Sequence, residues 1–356
     1  MRRALDLSNK ALGISNPNPP VGAVIVKYGT VIGEGFTGAP GTFHAEKEAL
    51  KVAGNYARGA SLHVTLEPCS HSGRTSPCVD AIIEAGISEV HASIIDPDSR
   101  VNGRGVEKLR AAGIKVYIGE LADDSSRRMQ AHIKLMKTGL PFVTVKFAAS
   151  LDGKIATSSG ESQWITGAEA RDIVHSMRGE TDSIMVGIGT VLADNPRLTA
   201  RGEHSPVTGR QPVRVVVDSN CRTPLNSALL FEPGKTVIPS NKSGSTCDMP
   251  SSVTVERFPG SDGRVDLSGL LRYLGKIPIS SVLVEGGSRL TGALFDEGLV
   301  DRVVAFLSPS IIGGMNSPSA VSGEGASIIS DVIRLSDVEV TNVGDDLLVS
   351  GYCLAE

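Results

Sequence analysis

One histidine and two cysteines are spaced along this chain as metal ligands are, and this set constrains the fold more than any other feature. His44 begins the tripeptide HAE (44–46), and the thiols of Cys69 and Cys78 follow after a strand-like apolar segment. One imidazole and two thiolates fill three of the four tetrahedral positions around a zinc ion and leave the fourth to water. The sequence therefore predicts a fold that joins two distant segments of its first half around zinc.

Glu46 adds a proton carrier to this set. It lies two residues after His44, close enough to handle the protons of an activated water without being a ligand. Zinc deaminases combine these elements, and their usual signature is H-x-E followed by P-C-x-x-C. Here eight residues separate the thiols, so the pattern is H-A-E…P-C-x8-C. Each residue alone is more often structural, but the four in this order predict a zinc-dependent deaminase.

Charge and composition exclude several classes of function. The net charge of −4 and the pI near 6.0 provide no basic field for nucleic acid or an anionic membrane. Aromatic residues make up 4% of the chain, too few for a base-stacking platform. We expect no signal peptide and no membrane span. Five cysteines, two of them assigned to zinc, predict a reducing, cytoplasmic location.

Apolar periodicity predicts alternating helices and strands, and therefore an α/β protein. A boundary at Gly139-Leu140-Pro141 predicts two domains, 1–140 and 141–356. The predicted helices are 2–12, 44–53, 77–85, 103–112, 122–138 and 168–178. The predicted strands are 21–27, 31–36, 62–66, 89–95, 115–118, 142–149, 183–187, 213–218, 281–284, 302–307, 337–343 and 347–353. We expect Thr166 to cap the helix at 168 in a capping box with Glu169, and 202–211 and 240–252 to be mobile surface loops.

The second half contains a candidate phosphate-binding turn. Gly286 and Gly287 follow an apolar strand and open a helix, where backbone N–H groups can approach an anion. A tight turn without a ligand explains the same pair. Trp164 either covers a ligand ring or anchors a loop, and Lys146, Arg178 and Arg201 either hold a phosphate or are solvated charges. No G-x-G-x-x-G follows a strand, so a Rossmann site is not supported.

Eight motifs carry a resemblance that covers nearly the whole chain. They are PNPPVGAVIV (17–26), HAE (44–46), VTLEPCSHSGRTSPC (64–78), DPDSRVNGRG (96–105), SLDGKIA (150–156), ESQWIT (161–166), VGIGTVLADNPRLTAR (186–201) and VEGGSRLTGAL (284–294). With them the chain resembles the bifunctional deaminase–reductases of bacterial riboflavin biosynthesis. The resemblance implies a cytidine-deaminase-like domain at 1–140 and a dihydrofolate-reductase-like domain at 141–356.

This resemblance implies two consecutive reactions on a small phosphorylated pyrimidine. The first is the hydrolytic deamination of 2,5-diamino-6-(5-phosphoribosylamino)pyrimidin-4-one, which requires zinc. In the second, NADPH reduces the ribosyl group to a ribityl side chain. We also expect a homo-oligomer.

The resemblance also implies site residues, position by position. In the first domain, His44, Cys69 and Cys78 match the zinc ligands, Glu46 matches the proton carrier, and Asn18, His71 and Arg74 match substrate-lining positions. In the second domain, the cofactor-contacting positions are Ala148, Trp164, Thr190, Asp194, Ser219, Gly287, Ser288, Arg289, Leu290, Thr291, Gly292 and Ala293. The substrate-contacting positions are Lys146, Ser162, Arg178, Leu198, Arg201 and Glu285.

Two positions depart from the family pattern. Thr37 stands where the family usually has a histidine, which concerns how the pyrimidine is positioned and not how zinc is held. Asn195 replaces the second aspartate of an Asp-Asp-Pro motif, while Asp194 keeps the matching carboxylate.

Three alternatives stay open from the residues alone. The chain could be a zinc deaminase of another nucleoside-like substrate, with a phosphate-binding second domain that is not a reductase. It could act on a nucleic-acid base, although the basic groove and stacking aromatics for that substrate are missing. It could also be a zinc-stabilised binding module without catalysis. Glu46 speaks against the last alternative, because a structural zinc site has no use for it.

Overall fold

The structure is a computed structural model that describes residues 1–71, 76–201, 209–242, 249–260 and 262–354. Arg74, most of the predicted loop at 202–211 and half of the loop at 240–252 lie outside the described residues. The chain divides into two compact units, Met1–Leu140 and Pro141–Glu356. None of the described helices combines the length and the apolar character that a membrane crossing requires.

The first unit is a five-stranded mixed sheet with helices on its faces. Its helices are α1 (Arg2–Asn9), α2 (Ala45–Ala53), α3 (Cys78–Glu84), α4 (Arg104–Ala111), α5 (Ala122–Arg128) and α6 (Gln130–Thr138). Its strands are β1 (Gly22–Lys27), β2 (Thr30–Phe36), β3 (Ser61–Leu66), β4 (Glu89–Ile94) and β5 (Lys115–Ile118). The strand order is β2-β1-β3-β4-β5. β1 runs antiparallel to β2 and β3, while β3, β4 and β5 run parallel.

Alternating side chains assign the two faces of this sheet. Leu62 and Val64 of β3, with Val90 of β4, are fully buried in a core that includes residues of α2, α3 and α4. The residue between Leu62 and Val64 must then point to the opposite face, because successive side chains of a strand alternate. That residue is His63.

Two predicted helices of the first unit end or break early. The helix predicted over 2–12 ends at Asn9, and i→i+3 turns tighten the chain up to Gly13, whose φ is +72°. The helix predicted over 122–138 is two helices, because the chain bends at Met129 (φ −104°, ψ 15°) and buries that side chain in the core.

The second unit is built on a nine-stranded sheet. Its helices are α7 (Ala168–Glu180), α8 (Ile188–Asp194), α9 (Leu267–Lys276) and α10 (Ser288–Asp296). Its strands are β6 (Phe142–Ser150), β7 (Ser183–Gly187), β8 (Val213–Val217), β9 (Thr236–Ser240), β10 (Val253–Arg257), β11 (Ser281–Val284), β12 (Arg302–Ser308), β13 (Leu335–Val343) and β14 (Asp346–Cys353). The order is β10-β9-β8-β7-β11-β6-β12-β14-β13, parallel except for the last two pairings. The α/β prediction is confirmed.

The predicted capping box at Thr166 is wrong. Gly167 is the N-cap of α7 and has no side chain to offer, and its N–H donates to Oδ2 of Asp346 at 2.7 Å. The carbonyl of Thr166 instead accepts a hydrogen bond from the Arg171 side chain. Asp346, the first residue of the sequence-distant strand β14, thus accepts a hydrogen bond at the start of α7, where a local capping box was expected.

Sequence reasoning also missed α8 and α9. For α9 a signal was present: Asp266 accepts a hydrogen bond from the N–H of Gly269 as an N-cap, and buried leucines follow at helical spacing. α8 is seven residues long, too short for its periodicity to stand out.

Candidate active sites

Two helix starts and one strand end bring the predicted zinc ligands together. His44 is the N-cap of α2, Cys78 is the first residue of α3, and Cys69 follows the end of β3. The Nδ1 atom of His44 lies 3.7 Å from Sγ of Cys69 and 3.4 Å from Sγ of Cys78. Ordinary zinc bond lengths in a tetrahedron place nitrogen and sulfur ligands about 3.6 Å apart. The three side chains therefore fit a zinc ion without rearrangement.

The protein itself favours the thiolate form of Cys69, without a metal ion. The amide of Cys78 donates to Sγ of Cys69 at 3.3 Å. Hydrogen bonds from the Cys78 thiol and from His44 lower the pKa of Cys69 to about 4, against the opposing effect of burial. A thiolate at Cys69 is the form that binds a metal ion.

Glu46 lies in the first turn of α2 with only 4% of its surface exposed. Burial raises its pKa to about 7, and the nearby charge of Cys69 adds to this effect. A carboxyl group with a pKa near neutrality can both accept and return a proton. The arrangement places such a group next to the three candidate ligands while leaving it outside their set.

A cleft of about 130 Å³ opens beside these residues. Its lining includes His44, Cys69 and Glu46 together with two predicted substrate residues, Asn18 and His71. The Nδ1 atom of His71 is buried and has no hydrogen-bond partner among the described residues. A polar ligand in the cleft would supply that partner. The predicted contact at Arg74 lies outside the described residues.

Thr37 also lines this cleft. Its side chain is buried at the end of β2, and its N–H donates to the carbonyl of Val21 at 2.9 Å. The position at which the resemblance implies a histidine therefore belongs to the lining of the candidate site.

Sequence reasoning did not single out Glu67, which organises the other wall of the cleft. Only 3% of its surface is exposed, and its carboxylate accepts four backbone hydrogen bonds. One oxygen accepts from Gly105 and Val106 in the first turn of α4, and the other from Asp96 and Gly103. The signal was a charged residue directly before Pro68-Cys69, at the end of a buried strand.

In the second unit, three charged side chains predicted to contact a substrate meet where β11 ends beside the middle of β6. β6 and β11 are parallel and pair Val145 with Val284, so Lys146 and Glu285 follow side by side. Arg178 of α7 donates to both carboxylate oxygens of Glu285, from Nε at 2.5 Å and from Nη2 at 2.7 Å. Burial lowers the pKa of Lys146, although the charge of Glu285 opposes this effect. The three form one partly buried charged cluster.

The glycine turn after β11 has the form of a phosphate cradle. Gly286 and Gly287 have φ values of +118° and +88°, which side chains rarely adopt. A Cβ on either glycine would lie 3.6 or 3.5 Å from Oγ1 of Thr190, a predicted cofactor contact. The turn leads into the N-terminus of α10, whose free N–H groups favour an anion. These residues fit the pyrophosphate of a nicotinamide dinucleotide.

The remaining predicted residues of the second unit are spread over several helices, strands and loops. Ser162 donates to Oδ1 of Asp194 at 3.0 Å. Trp164 is 70% exposed and stacks with the guanidinium group of Arg171, 4.5 Å from its ring centre. The other predicted contacts lie on β6 (Ala148), after α8 (buried Leu198 and exposed Arg201), after β8 (Ser219) and along α10 (288–293).

Sequence reasoning missed His175 of α7. Its electrostatic neighbours are Arg178, Arg201 and Glu285, and its Nδ1 atom is buried without a hydrogen-bond partner among the described residues. Burial and the two arginines lower its pKa, so the imidazole is neutral at neutral pH. The helix position, one turn before Arg178, is the only signal the sequence offered.

Family models and individual proteins match this chain over both units. Residues 1–94 match the cytidine and deoxycytidylate deaminase zinc-binding region, and residues 141–349 match the RibD C-terminal domain. The riboflavin biosynthesis protein RibD of Escherichia coli (strain K12) is 39% identical over 98% of this chain and 96% of its own length.

Solved structures similar to this chain lead to the same family. Acinetobacter baumannii RibD, form 1, superposes with a TM-score of 0.91 at 35% identity, covering 99% of this chain and 98% of that one. The Thermotoga maritima diaminohydroxyphosphoribosylaminopyrimidine deaminase/5-amino-6-(5-phosphoribosylamino)uracil reductase gives a TM-score of 0.87 at 38% identity, covering 99% and 97%. These matches confirm the predicted fold class. They show that the chain belongs to the RibD family of riboflavin biosynthesis proteins.

Proposed function

We propose that residues 1–140 carry the deaminase step and residues 141–356 the reductase step, each through the residues described above. As a RibD protein, the chain is a bifunctional enzyme of riboflavin biosynthesis that uses zinc and NADPH. The observation that carries the assignment of roles is the zinc-compatible triangle of His44, Cys69 and Cys78 with the buried carboxyl of Glu46 beside it.

In the deaminase unit, His44, Cys69 and Cys78 hold zinc, which when bound lowers the pKa of a water molecule towards 7. Glu46 takes a proton from the attacking water as its oxygen forms a bond to the amino-bearing ring carbon, and it passes that proton to the ring nitrogen, which receives the electron pair of the broken C=N π bond. Glu46 then carries the remaining proton of the new hydroxyl group to the departing nitrogen, the C–N bond breaks as the carbonyl forms, and ammonia leaves. Its raised pKa suits both transfers.

The walls of the cleft orient the pyrimidine. Asn18 and His71 line it together with the zinc ligands His44 and Cys69, and Nδ1 of His71, which has no partner among the described residues, offers a hydrogen bond to the substrate. We include Arg74 as a phosphate contact on the family resemblance. Glu67 fixes the backbone at Asp96 and at 103–106 through its four backbone hydrogen bonds.

In the reductase unit, NADPH supplies the hydride for the opened ribose carbonyl. The turn at Gly286 and Gly287 approaches the cofactor phosphates through backbone N–H groups, with Thr190 beside it. Lys146 and Arg178 supply positive charge for the substrate; Glu285 holds Arg178 through two hydrogen bonds and attracts Lys146 by its charge. Charges fixed before binding lose less conformational entropy when they orient a reactant.

The alternative of a non-reductase second domain loses its support, because residues 141–349 match the RibD C-terminal domain. Within the RibD assignment we further propose a cytoplasmic homo-oligomer. A reducing compartment keeps the two thiolate ligands from forming a disulfide. Edge strand β13 exposes Val338 and Val340 by 52% and 63%, an apolar edge suited to pairing with a second copy. Light scattering during size-exclusion chromatography measures the oligomer directly.

The central test separates the two chemistries by substitution. Ammonia release is measured with 2,5-diamino-6-(5-phosphoribosylamino)pyrimidin-4-one, and NADPH consumption with the deaminated product. Glu46→Gln should lower ammonia release by about 10²–10⁴-fold, keep zinc, and leave NADPH consumption unchanged. The matched control is Glu48→Gln, the same change on the same helix, which should leave both rates near wild type.

The reverse pattern is expected for the reductase cluster. Lys146→Ala with Glu285→Ala should stop NADPH consumption while ammonia release continues. Loss of zinc from Glu46→Gln would remove that residue from the role of proton carrier. Loss of reduction in the same variant would contradict the division of the two steps between the two units.

A further inference from the structure

Two histidines lie side by side on the sheet face of the first unit that is turned away from α2 and α3. β3 and β4 are parallel and pair His63 with His91. The neighbours of both histidines along their strands, such as Leu62 and Val90, are buried in the core on the other face. The two imidazoles therefore belong to a different surface from the one on which α2 and α3 begin with His44 and Cys78.

The imidazoles are stacked and share one carboxylate. Their ring centres are 4.4 Å apart at an interplanar angle of 18°, and Tyr117 of β5 stacks on His91 at 4.8 Å. Oε2 of Glu120, two residues beyond β5, lies 3.8 Å from Nδ1 of His63 and 3.8 Å from Nδ1 of His91. Its other oxygen, Oε1, lies 3.7 Å from the amino nitrogen of Met1, which leaves Oε2 for the imidazoles.

The hydrogen bonds in this cluster are incomplete. A separation of 3.8 Å is too long for a hydrogen bond. Nδ1 of His63 is buried and has no hydrogen-bond partner among the described residues. A buried polar atom left unpaired is costly, and such atoms usually have a partner. Two nitrogen atoms and one carboxylate oxygen thus lie within 4.8 Å of one another, too far apart for hydrogen bonds between them.

We propose that His63, His91 and Glu120 form a second metal site, for a divalent ion of the late first-row transition metals such as Zn²⁺. Two imidazoles and a carboxylate are donors that these ions favour. The three donor atoms lie within 4.8 Å of one another, whereas bonds of about 2.1 Å in a tetrahedron need separations of about 3.4 Å. Binding would turn the half-exposed Glu120 side chain inward and rotate the two imidazoles out of their stacked arrangement, so that both Nδ1 atoms point at the ion.

The backbone around Glu120 is fixed to β4 by a buried serine. Oγ of Ser93, a fully buried residue of β4, donates to the carbonyl of Glu120 at 2.6 Å and faces that of Leu121 at 3.1 Å. A metal ion there would link β3 and β4 to the connection between β5 and α5. The site would therefore add stability to the first unit, independently of the reaction.

The test is the zinc content of the full chain, dialysed against buffered micromolar Zn²⁺ and measured by mass spectrometry. The proposal expects two zinc ions per wild-type chain, and one in His63→Gln and in His91→Gln. The matched control is Tyr117→Phe, which keeps the stacking and removes no ligand, and it should keep two. Ammonia release by each variant reports whether the first unit is folded.

A measurement on the unaltered protein makes the test independent of how the variants fold. Crystals soaked in Zn²⁺ should give an anomalous peak at the zinc edge between the two imidazoles and Glu120. The second zinc should also raise the midpoint of thermal unfolding of the wild type and leave that of His91→Gln unchanged. One zinc per wild-type chain, no peak at this position, or two zinc ions in both histidine variants would overturn the proposal.

Discussion

Thr37 stands where the resemblance to the family leads us to expect a histidine. It is buried, and it lines the cleft together with Glu46. We predict that Thr37→His lowers the KM of deamination severalfold, because the imidazole would reach the bound pyrimidine. The rate of NADPH consumption should not change. Steady-state kinetics of ammonia release gives the KM, and NADPH oxidation with the deaminated substrate gives the second rate. An unchanged or raised KM would mean that another group already positions the substrate.

Lys146 predicts a pH dependence for the reductase step. Burial lowers its pKa below that of an ordinary lysine, although Glu285 opposes the effect. The ammonium form attracts a phosphorylated substrate, and this form is present below the shifted pKa and lost as pH rises through it. KM for the deaminated substrate should therefore rise on the alkaline side before an ordinary lysine would titrate.

The control for this profile is Lys146→Arg, because a guanidinium group stays charged over the same range. Its KM should be less dependent on pH, whatever its absolute value. The same alkaline rise in both proteins would show that a different group titrates. The measurement is KM from NADPH oxidation at a series of pH values.

At the scale of elements, Glu67 joins the end of β3 to the start of α4. Its carboxylate accepts from four backbone N–H groups, and a glutamine offers one acceptor oxygen and a donating NH₂ group in the same space. Glu67→Gln should leave about two buried N–H groups unpaired and destabilise the first unit by at least about 2 kcal/mol. Because the same loop walls the cleft, kcat/KM for deamination should also fall.

Chemical denaturation and ammonia-release kinetics measure these two effects. Glu84→Gln, the same change on an exposed position of α3, is the matched control and should alter neither. A Glu67→Gln protein with wild-type stability would mean that the loop at 96–106 does not depend on this carboxylate.

At the scale of the whole molecule, each unit has buried apolar clusters of its own, such as one around β1, β3 and β4 and another around β7, β8 and β9. We predict two calorimetric unfolding transitions. A strong zinc chelator should lower the midpoint of one of them, because the three proposed ligands His44, Cys69 and Cys78 all belong to the first unit.

NADPH should act on the other transition. At about 100 times its Kd, a ligand that binds only the folded state stabilises it by about 2.7 kcal/mol. For a domain of this size that raises the midpoint by roughly 5–10 °C. A chelator and NADPH that shift the same transition would contradict separate sites in separate units.

The sequence by itself determined the features that depend on local pattern and on residue chemistry. The β1–β2 hairpin followed from alternation around Tyr28-Gly29, and most strands from runs of branched apolar residues. The grouping of His44, Cys69 and Cys78 was predictable because few residue types bind zinc and their spacing is restricted. The turn at Gly286 was predictable because only glycine accepts its backbone angles without strain.

Only the tertiary structure decided what depends on register and on long-range packing. Local sequence patterns do not show which strands are neighbours or in which register they pair. Lys146 and Glu285 are brought side by side only by strand pairing, and so are His63 and His91. The hydrogen bond from the N–H of Gly167 to Asp346 also joins segments far apart in the sequence. Parallel strands are paired through long connections, so their register is set by how the helices between them pack against the sheet. For the same reason Glu67, unremarkable in the sequence, became the residue that holds one wall of the cleft.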